Sequence, residues 1–243
     1  MAKLMLGTRE VTPSIYKDAS SKYGATIDNM LGDVDANGSL QFPNVTNEII
    51  FSGVKEIRNS ALKYKFYGSG ITAVSFPDLE IFDGNMGYAF ADCKNLETIS
   101  FPKLQRFSNA DGNMFNSCSN IVSVEFPELT KVGGYRGFER AFRGCSKLKT
   151  ITFSKLEEIT QSRTFEWAFS SCEALENVYF YGLKTIAQTD AFAGLLSQNS
   201  SGSVKNIHFP SNQQTLISRL SDYPLFGGTS GYVNLLFDLP ATS

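Results

Sequence analysis

A phenylalanine recurs at Phe51, Phe76, Phe101, Phe126, Phe153, Phe180 and Phe209, in steps of 25, 25, 25, 27, 27 and 29 residues. That spacing restricts the chain to stacked-repeat architectures, because a unit this short cannot bury its own apolar face without neighbours. The register around the phenylalanine repeats as well. Ala89, Phe90, Cys93, Leu96, Ile99, Phe101, Pro102 and Leu104 return as Met114, Phe115, Cys118, Ile121, Val124, Phe126, Pro127 and Leu129. They return again from Ala141 and Phe142 to Leu156, and from Ala168 and Phe169 to Leu183. A degraded copy carries Ala191, Phe192, Val204, Ile207, Phe209 and Pro210, and two earlier copies run through Ile49–Ile57 and Ile71–Leu79.

The spacing within a unit sets its shape. In Thr98-Ile99-Ser100-Phe101 apolar and polar residues alternate, which predicts a short strand with one buried face. Pro77, Pro102, Pro127 and Pro210 end such strands, since proline cannot donate to a ladder. Upstream, Met86 with Phe90, Phe138 with Phe142 and Phe165 with Phe169 are i,i+4 pairs, which predict one helical turn packed inward. At about 4.8 Å per rung, seven rungs make a ladder about 30–35 Å long.

The pattern Ala-Phe-x-x-Cys-x-x-Leu-x-x-Ile-x-Phe-Pro-x-Leu resembles the BspA-like branch of leucine-rich repeats over residues 46–210. The resemblance implies a repeat solenoid of leucine-rich-repeat type (α/β, short parallel strands with short helical turns) of about seven rungs. It also implies a surface-exposed binding or adhesion protein of bacteria or microbial eukaryotes. A scaffold of this kind does not name its ligand. Residues 1–45 lack the repeat and read as an N-terminal segment and cap. Residues 211–243 read as a C-terminal cap, with a helix from Gln213 to Leu220 and a last strand in Tyr232–Phe237. The stretch from Leu4 to Pro13 resembles leader segments of bacteriophage tail-associated proteins, which implies a virion-surface setting and, by analogy, a homo-oligomer formed through this segment.

Composition narrows the function. A net charge of −2 gives no basic footprint for nucleic acid or anionic membrane. No apolar run approaches the roughly 20 residues of a membrane helix, and the first residues lack the apolar segment and cleavage site of a secretory signal. The expected location is extracellular or on a virion surface, or cytoplasmic if the chain is not exported.

Each candidate for chemistry competes with a plainer account. Cys93, Cys118, Cys145 and Cys172 stand 25, 27 and 27 apart at one repeat position, so they predict a buried ladder rather than a disulfide or zinc set. Asp33, Asp35 and Asn37 with Gly38 match the first half of an EF-hand-type calcium loop, but Asn44 replaces the bidentate glutamate. Turn chemistry explains the same residues, so neither a metal nor another cofactor is expected. His208, the single histidine, falls on the polar side of its strand, where exposure and no catalytic partner are expected. Nothing here points to an enzyme.

What the core leaves free is available for binding. One candidate is the outward strand row, including Glu125, Tyr179 and His208 among small polar residues; the plainer account is an ordinary solvent-facing sheet. The other is the edge of variable loops carrying Tyr88, Tyr135, Arg136, Arg140, Arg163 and Trp167, residue types enriched in binding hot spots. Tyr88 and Trp167 directly precede the Ala-Phe anchor and in the plainer account cover the core. The expected activity is recognition of a protein or glycan on a cell surface. The alternative is an assembly or spacer part of a larger particle.

Overall fold

A computed structural model of the chain describes residues 3–6, 9–10, 48–60, 62–199, 205–215 and 233–242. The backbone coils into six complete rungs with three walls, followed by the opening strand of a seventh unit. Strands at all seven of the recurring phenylalanines are thus present among the described residues.

The first wall holds the phenylalanine strands: β3 (Ile49–Ser52), β5 (Ala73–Ser75), β7 (Thr98–Ser100), β9 (Ser123–Phe126), β11 (Thr150–Phe153), β13 (Asn177–Phe180) and β15 (Lys205–Pro210). They are paired in parallel except between β7 and β9, where the wall divides into two sheets. At one end β1 (Lys3–Leu6) joins β3 antiparallel and carries β2 (Arg9–Glu10) outside it. At the other end β16 (Val233–Leu239) pairs in parallel with β15, so the apolar stretch near the C-terminus continues the ladder. The second wall follows each Pro/Leu bend: β4 (Glu56–Asn59), β6 (Ile81–Gly84), β8 (Arg106–Asn109), β10 (Lys131–Gly133), β12 (Glu158–Ile159) and β14 (Thr185–Ile186) form one parallel sheet. The helix expected from Gln213 to Leu220 falls, beyond Thr215, outside the described residues, as does the calcium candidate at Asp33, Asp35 and Asn37.

The third wall differs from expectation. The i,i+4 pairs do not build a helical turn. Alternate N–H groups bond three residues back, as Ala141 does to Phe138 and Cys145 to Phe142. The groups between them cross to the next rung: Arg140 donates to Glu166, Phe142 to Ala168 and Gly144 to Ser170. The same crossing joins Phe165 to Ala191, Trp167 to Ala193 and Ser171 to Ser197. A helix would spend its N–H groups on its own carbonyls. Here half of them tie rungs together instead.

This geometry requires left-handed backbone at every fourth position of the segment. One column runs Tyr64 (φ 57°), Tyr88 (54°), Asn113 (68°), Arg140 (48°), Trp167 (52°) and Gly194 (59°). Beside it runs a second: Gly68 (66°), Asp92 (60°), Ser117 (63°), Gly144 (73°), Ser171 (57°) and Gln198 (61°). A non-glycine residue in this region costs about 1–2 kcal/mol, which the cross-rung bonds offset.

Three columns of phenylalanine fill the interior. Phe51, Phe76, Phe101, Phe126, Phe153, Phe180, Phe209 and Phe237 stack along the first wall at 4.4–5.9 Å between centroids. Phe66, Phe90, Phe115, Phe142 and Phe169 stack behind the turn wall at 5.2–6.0 Å. The second wall supplies Phe82 and Phe107, and from the 27-residue units onward Phe138, Phe165 and Phe192 take over this corner. Its facing strand residues shrink to Val132 and Ile159 at the same point, which keeps the volume filled. Edge-on contacts such as Phe153 with Phe165 (5.5 Å, 85°) lock one column against the next.

The cysteines form the predicted ladder. The thiols of Cys93, Cys118, Cys145 and Cys172 donate to the carbonyls of Phe66, Phe90, Phe115 and Phe142 at 3.0–3.3 Å. Asn199 takes the same role toward Phe169, and Ser69 stands against Cys93 at the head of the column. All four thiols are buried and free, and burial pushes that of Cys172 up to about 12.

The turn wall yields a contrast between two positions of one column. A Cβ at Gly144 has room, its nearest neighbour being Ser117 Oγ at 3.4 Å, so Gly144→Ala isolates the backbone penalty and is expected to cost about 1–2 kcal/mol. Ser171→Gly, at φ 57°, is expected to leave stability unchanged or raised, whereas a helical segment would lose up to about 1 kcal/mol. Urea unfolding of both variants checks the pair.

Candidate functional site

The loop-edge candidates lie on the turn wall, but they do not form one cluster. Tyr88 belongs to an aromatic group in the first rungs. It stacks on Tyr64 at 5.1 Å and meets Tyr67 edge-on at 6.5 Å, while Tyr67 Oη donates to Asp92 at 2.8 Å. Lys63 stands 5.8 Å from the Tyr64 centroid and pairs with Asp111 at 2.8 Å. Asn113 then separates Tyr88 from Arg140 in the column.

Tyr135, Arg136, Arg140, Arg163 and Trp167 are brought together in rungs four and five. Tyr135 is the most exposed large hydrophobic side chain of the described residues, at 50%. The Arg136 guanidinium lies 5.1 Å from its ring centroid, and Arg163 donates to its hydroxyl at 3.5 Å. Arg140 sits 4.0 Å over the indole of Trp167. On the next rung Gly194 closes the column, and a Cβ there would run into that indole. Trp167 is therefore fixed between an arginine and a bare backbone.

Two carboxylates hold the arginines, and the sequence reasoning missed both. Glu139, 2% exposed, pairs with Arg136 at 2.9 Å and with Arg140 at 2.8 Å. Glu166, at the equivalent position one unit later, is also buried and pairs with Arg163 at 3.2 Å. The available signal was the acidic residue directly after the inward phenylalanine in both 27-residue copies, Phe138-Glu139 and Phe165-Glu166. Burial raises the Glu139 carboxyl above its ordinary value, Arg140 and Arg136 draw it back down, and Glu166 adds to the rise. The outer parts of the arginines stay in water, so the cluster is a rigid cationic rim over a buried anionic base.

The strand row differs in one respect from expectation. Thr152 pairs in register with Glu125 and with Tyr179, and Tyr179 with His208. Glu125 is exposed beside a groove of about 510 Å³ where the wall divides between β7 and β9, with Ser100, Val122 and Ser123 in its lining. His208 points outward as its alternation requires, yet it is only 8% exposed. A register shift in β16 sets two residues opposite Phe209. Phe237 continues the aromatic column, and Asp238 stands within 2.9 Å of His208 Nδ1. Tyr179 stacks on the imidazole at 4.3 Å and Asn177 Oδ1 lies 3.1 Å from Nε2. The histidine thus has a carboxylate partner, contrary to expectation, but its other nitrogen faces an amide oxygen rather than a nucleophile. Among the described residues no group of three or more His, Cys, Asp or Glu is placed to hold a metal ion, and no helix is long and apolar enough to cross a membrane.

These repeating walls match the model of the BspA type leucine-rich repeat region, in six copies, over residues 57–201 and 136–220. The chain belongs to the BspA-type leucine-rich-repeat family. A crystal structure of a leucine-rich-repeat protein of T. pallidum is similar at 15% identity and a TM-score of 0.33, over 84% of this chain and 95% of that one. Comparison with curated proteins gives no match. BspA-type leucine-rich-repeat arrays are generally non-catalytic and protein-binding or adhesive, and are often surface-associated.

The raised carboxyl of Glu139 fixes the sign of a pH effect. Just above the ordinary carboxylate range, the unfolded chain has lost this proton while the folded chain still holds it. The contribution of Glu139 to stability is therefore present below the unfolded value and declines as pH rises through the folded one. Glu139→Gln is expected to remove that declining component from the pH dependence of the unfolding free energy. Denaturant titrations at a series of pH values check it.

Proposed function

We propose that this protein is a non-catalytic recognition module that uses its turn wall to bind a protein or glycan on another cell's surface. The observation that carries the reading is the cluster of Tyr135 with Arg136 and Arg163. The most exposed aromatic of the wall is held by two arginines, and each arginine is anchored on a buried carboxylate. Side chains immobilised before binding lose little entropy on forming a complex, and tyrosine, tryptophan and arginine dominate interface hot spots. On this reading residues 46–210 carry the recognition array, and residues 1–45 and 211–243 cap it. The location that follows is extracellular or, given the resemblance of Leu4–Pro13 to phage leaders, on a virion. The chain is not an enzyme on this account, since its one histidine aims at Asn177.

Tyr135→Ala combined with Arg163→Lys, which keeps a cation for the buried Glu166 but loses the guanidinium fork, is expected to lower binding to whole bacterial cells about tenfold or more, while shifting stability by no more than about 1 kcal/mol. Cell pull-down beside thermal unfolding measures both. If the protein is instead a spacer in a larger particle, the double variant behaves as wild type and function is lost only when residues 1–45 are removed.

A further inference from the structure

A hollow of about 460 Å³ opens on the turn wall next to the cluster just described, lined by Arg143, Trp167, Ser170, Ser197 and Gln198. It follows from the order of side chains in two adjacent columns. In one, cross-rung bonds align Arg143, Ser170 and Ser197 on rungs four, five and six. In the other, Trp167 is followed by Gly194, where a Cβ would strike the indole. In the first column a large residue is followed by two small ones, and that missing volume is the hollow; in the second the indole fills the space beside Gly194 and forms the hollow's side. Ser170 is small enough for Arg143 to pass over rung five, so that its Nη2 donates to Gln198 Oε1 at 3.3 Å on rung six.

Arg143 also differs from the neighbouring arginines in its pairing. Arg136, Arg140 and Arg163 are each paired with Glu139 or Glu166. Among the described residues no carboxylate lies within ion-pair distance of Arg143, whose side chain meets only the neutral amide of Gln198. A guanidinium held by one amide oxygen keeps its planar fork available to a carboxylate, which binds it more strongly than an amide does.

We infer that this hollow binds a carboxylate-bearing sugar ring. Arg143 takes the carboxylate, Gln198 and the Ser197 hydroxyl take ring hydroxyls, and Trp167, its indole held between Arg140 and Gly194, forms the rigid side of the hollow against which the ring rests. The volume lies in the range of small-molecule sites and exceeds what a lone acidic side chain would fill. The inference rests on the recognition reading and names the ligand chemistry of that wall.

Trp167 is the chain's only tryptophan, so its selectively excited fluorescence reports on this hollow alone. Glucuronate added to the full chain is expected to change that emission saturably, while glucose at the same concentrations does not. Arg143→Gln is expected to weaken the glucuronate response about tenfold or more with the starting spectrum unchanged, and Ser197→Leu to abolish it by filling the space. A glutamate-containing tripeptide separates a sugar from a peptide carboxylate, and a tripeptide response matching that of glucuronate overturns the assignment. No saturable change with glucuronate, an equal response to glucose, or an unaltered response in Arg143→Gln also overturns it. Cell binding that depends on Tyr135 and Arg163 while glucuronate is inert removes this inference and leaves the recognition reading standing.

Discussion

Hydrogen bonding between rungs is the constraint on which everything else rests. Among the described residues from Ile49 to Asn199 no unit has a helix or a hairpin of its own; its strands are too short to stand alone and its turn segment spends half its N–H groups on the next copy. A rung therefore exists only between neighbours, and stability is distributed along the array as a sum of contacts between adjacent units. The phenylalanine columns have the same character. Each ring contacts the equivalent ring one unit away, so the apolar core is continuous along the solenoid and absent from any single rung.

The turn wall links this architecture to function. Its cross-rung bonds need left-handed backbone at every fourth residue, which sets the direction of Tyr88, Arg136, Arg140, Arg163 and Trp167 through the main chain. Side chains placed in this way stand in columns about one strand spacing apart, about 4.8 Å, close enough for Arg140 to cover Trp167 and for Arg143 to span two rungs. The extra two residues of the 27-residue units matter at the same place. They fall in the loop between Val132 and Phe138, which carries Tyr135 and Arg136. Just after it, Phe138 and Phe165 join the core, with Glu139 and Glu166 directly following beneath the arginines.

The strand wall was largely legible in the sequence, since two-residue alternation and a fixed step leave few other solutions; Ile99 and Phe101 point inward as Thr98 and Ser100 demand. The cysteine ladder was equally plain, because one residue per unit at one position cannot pair within itself. The turn wall was not. An i,i+4 apolar spacing such as Phe138 with Phe142 fits one helical turn and a left-handed turn with a four-residue period equally well, and only the bonds of the next rung decide between them. His208 shows the other limit: alternation gave its outward face, but its burial comes from a register shift in β16 that brings Asp238 beside it. Likewise Tyr88 and Trp167 share a column, yet the residues at the intervening positions, Asn113 and Arg140, place them in separate surroundings.

Amide hydrogen exchange, resolved by residue, tests the central claim most directly. If the turn wall is a ladder between rungs, the amides of Phe142, Gly144, Phe169 and Ser171 exchange as slowly as those in the strands β11 and β13, because releasing any of them requires parting two rungs. Exchange of these four amides at the rate of open surface turns, with the strand amides still protected, would contradict it.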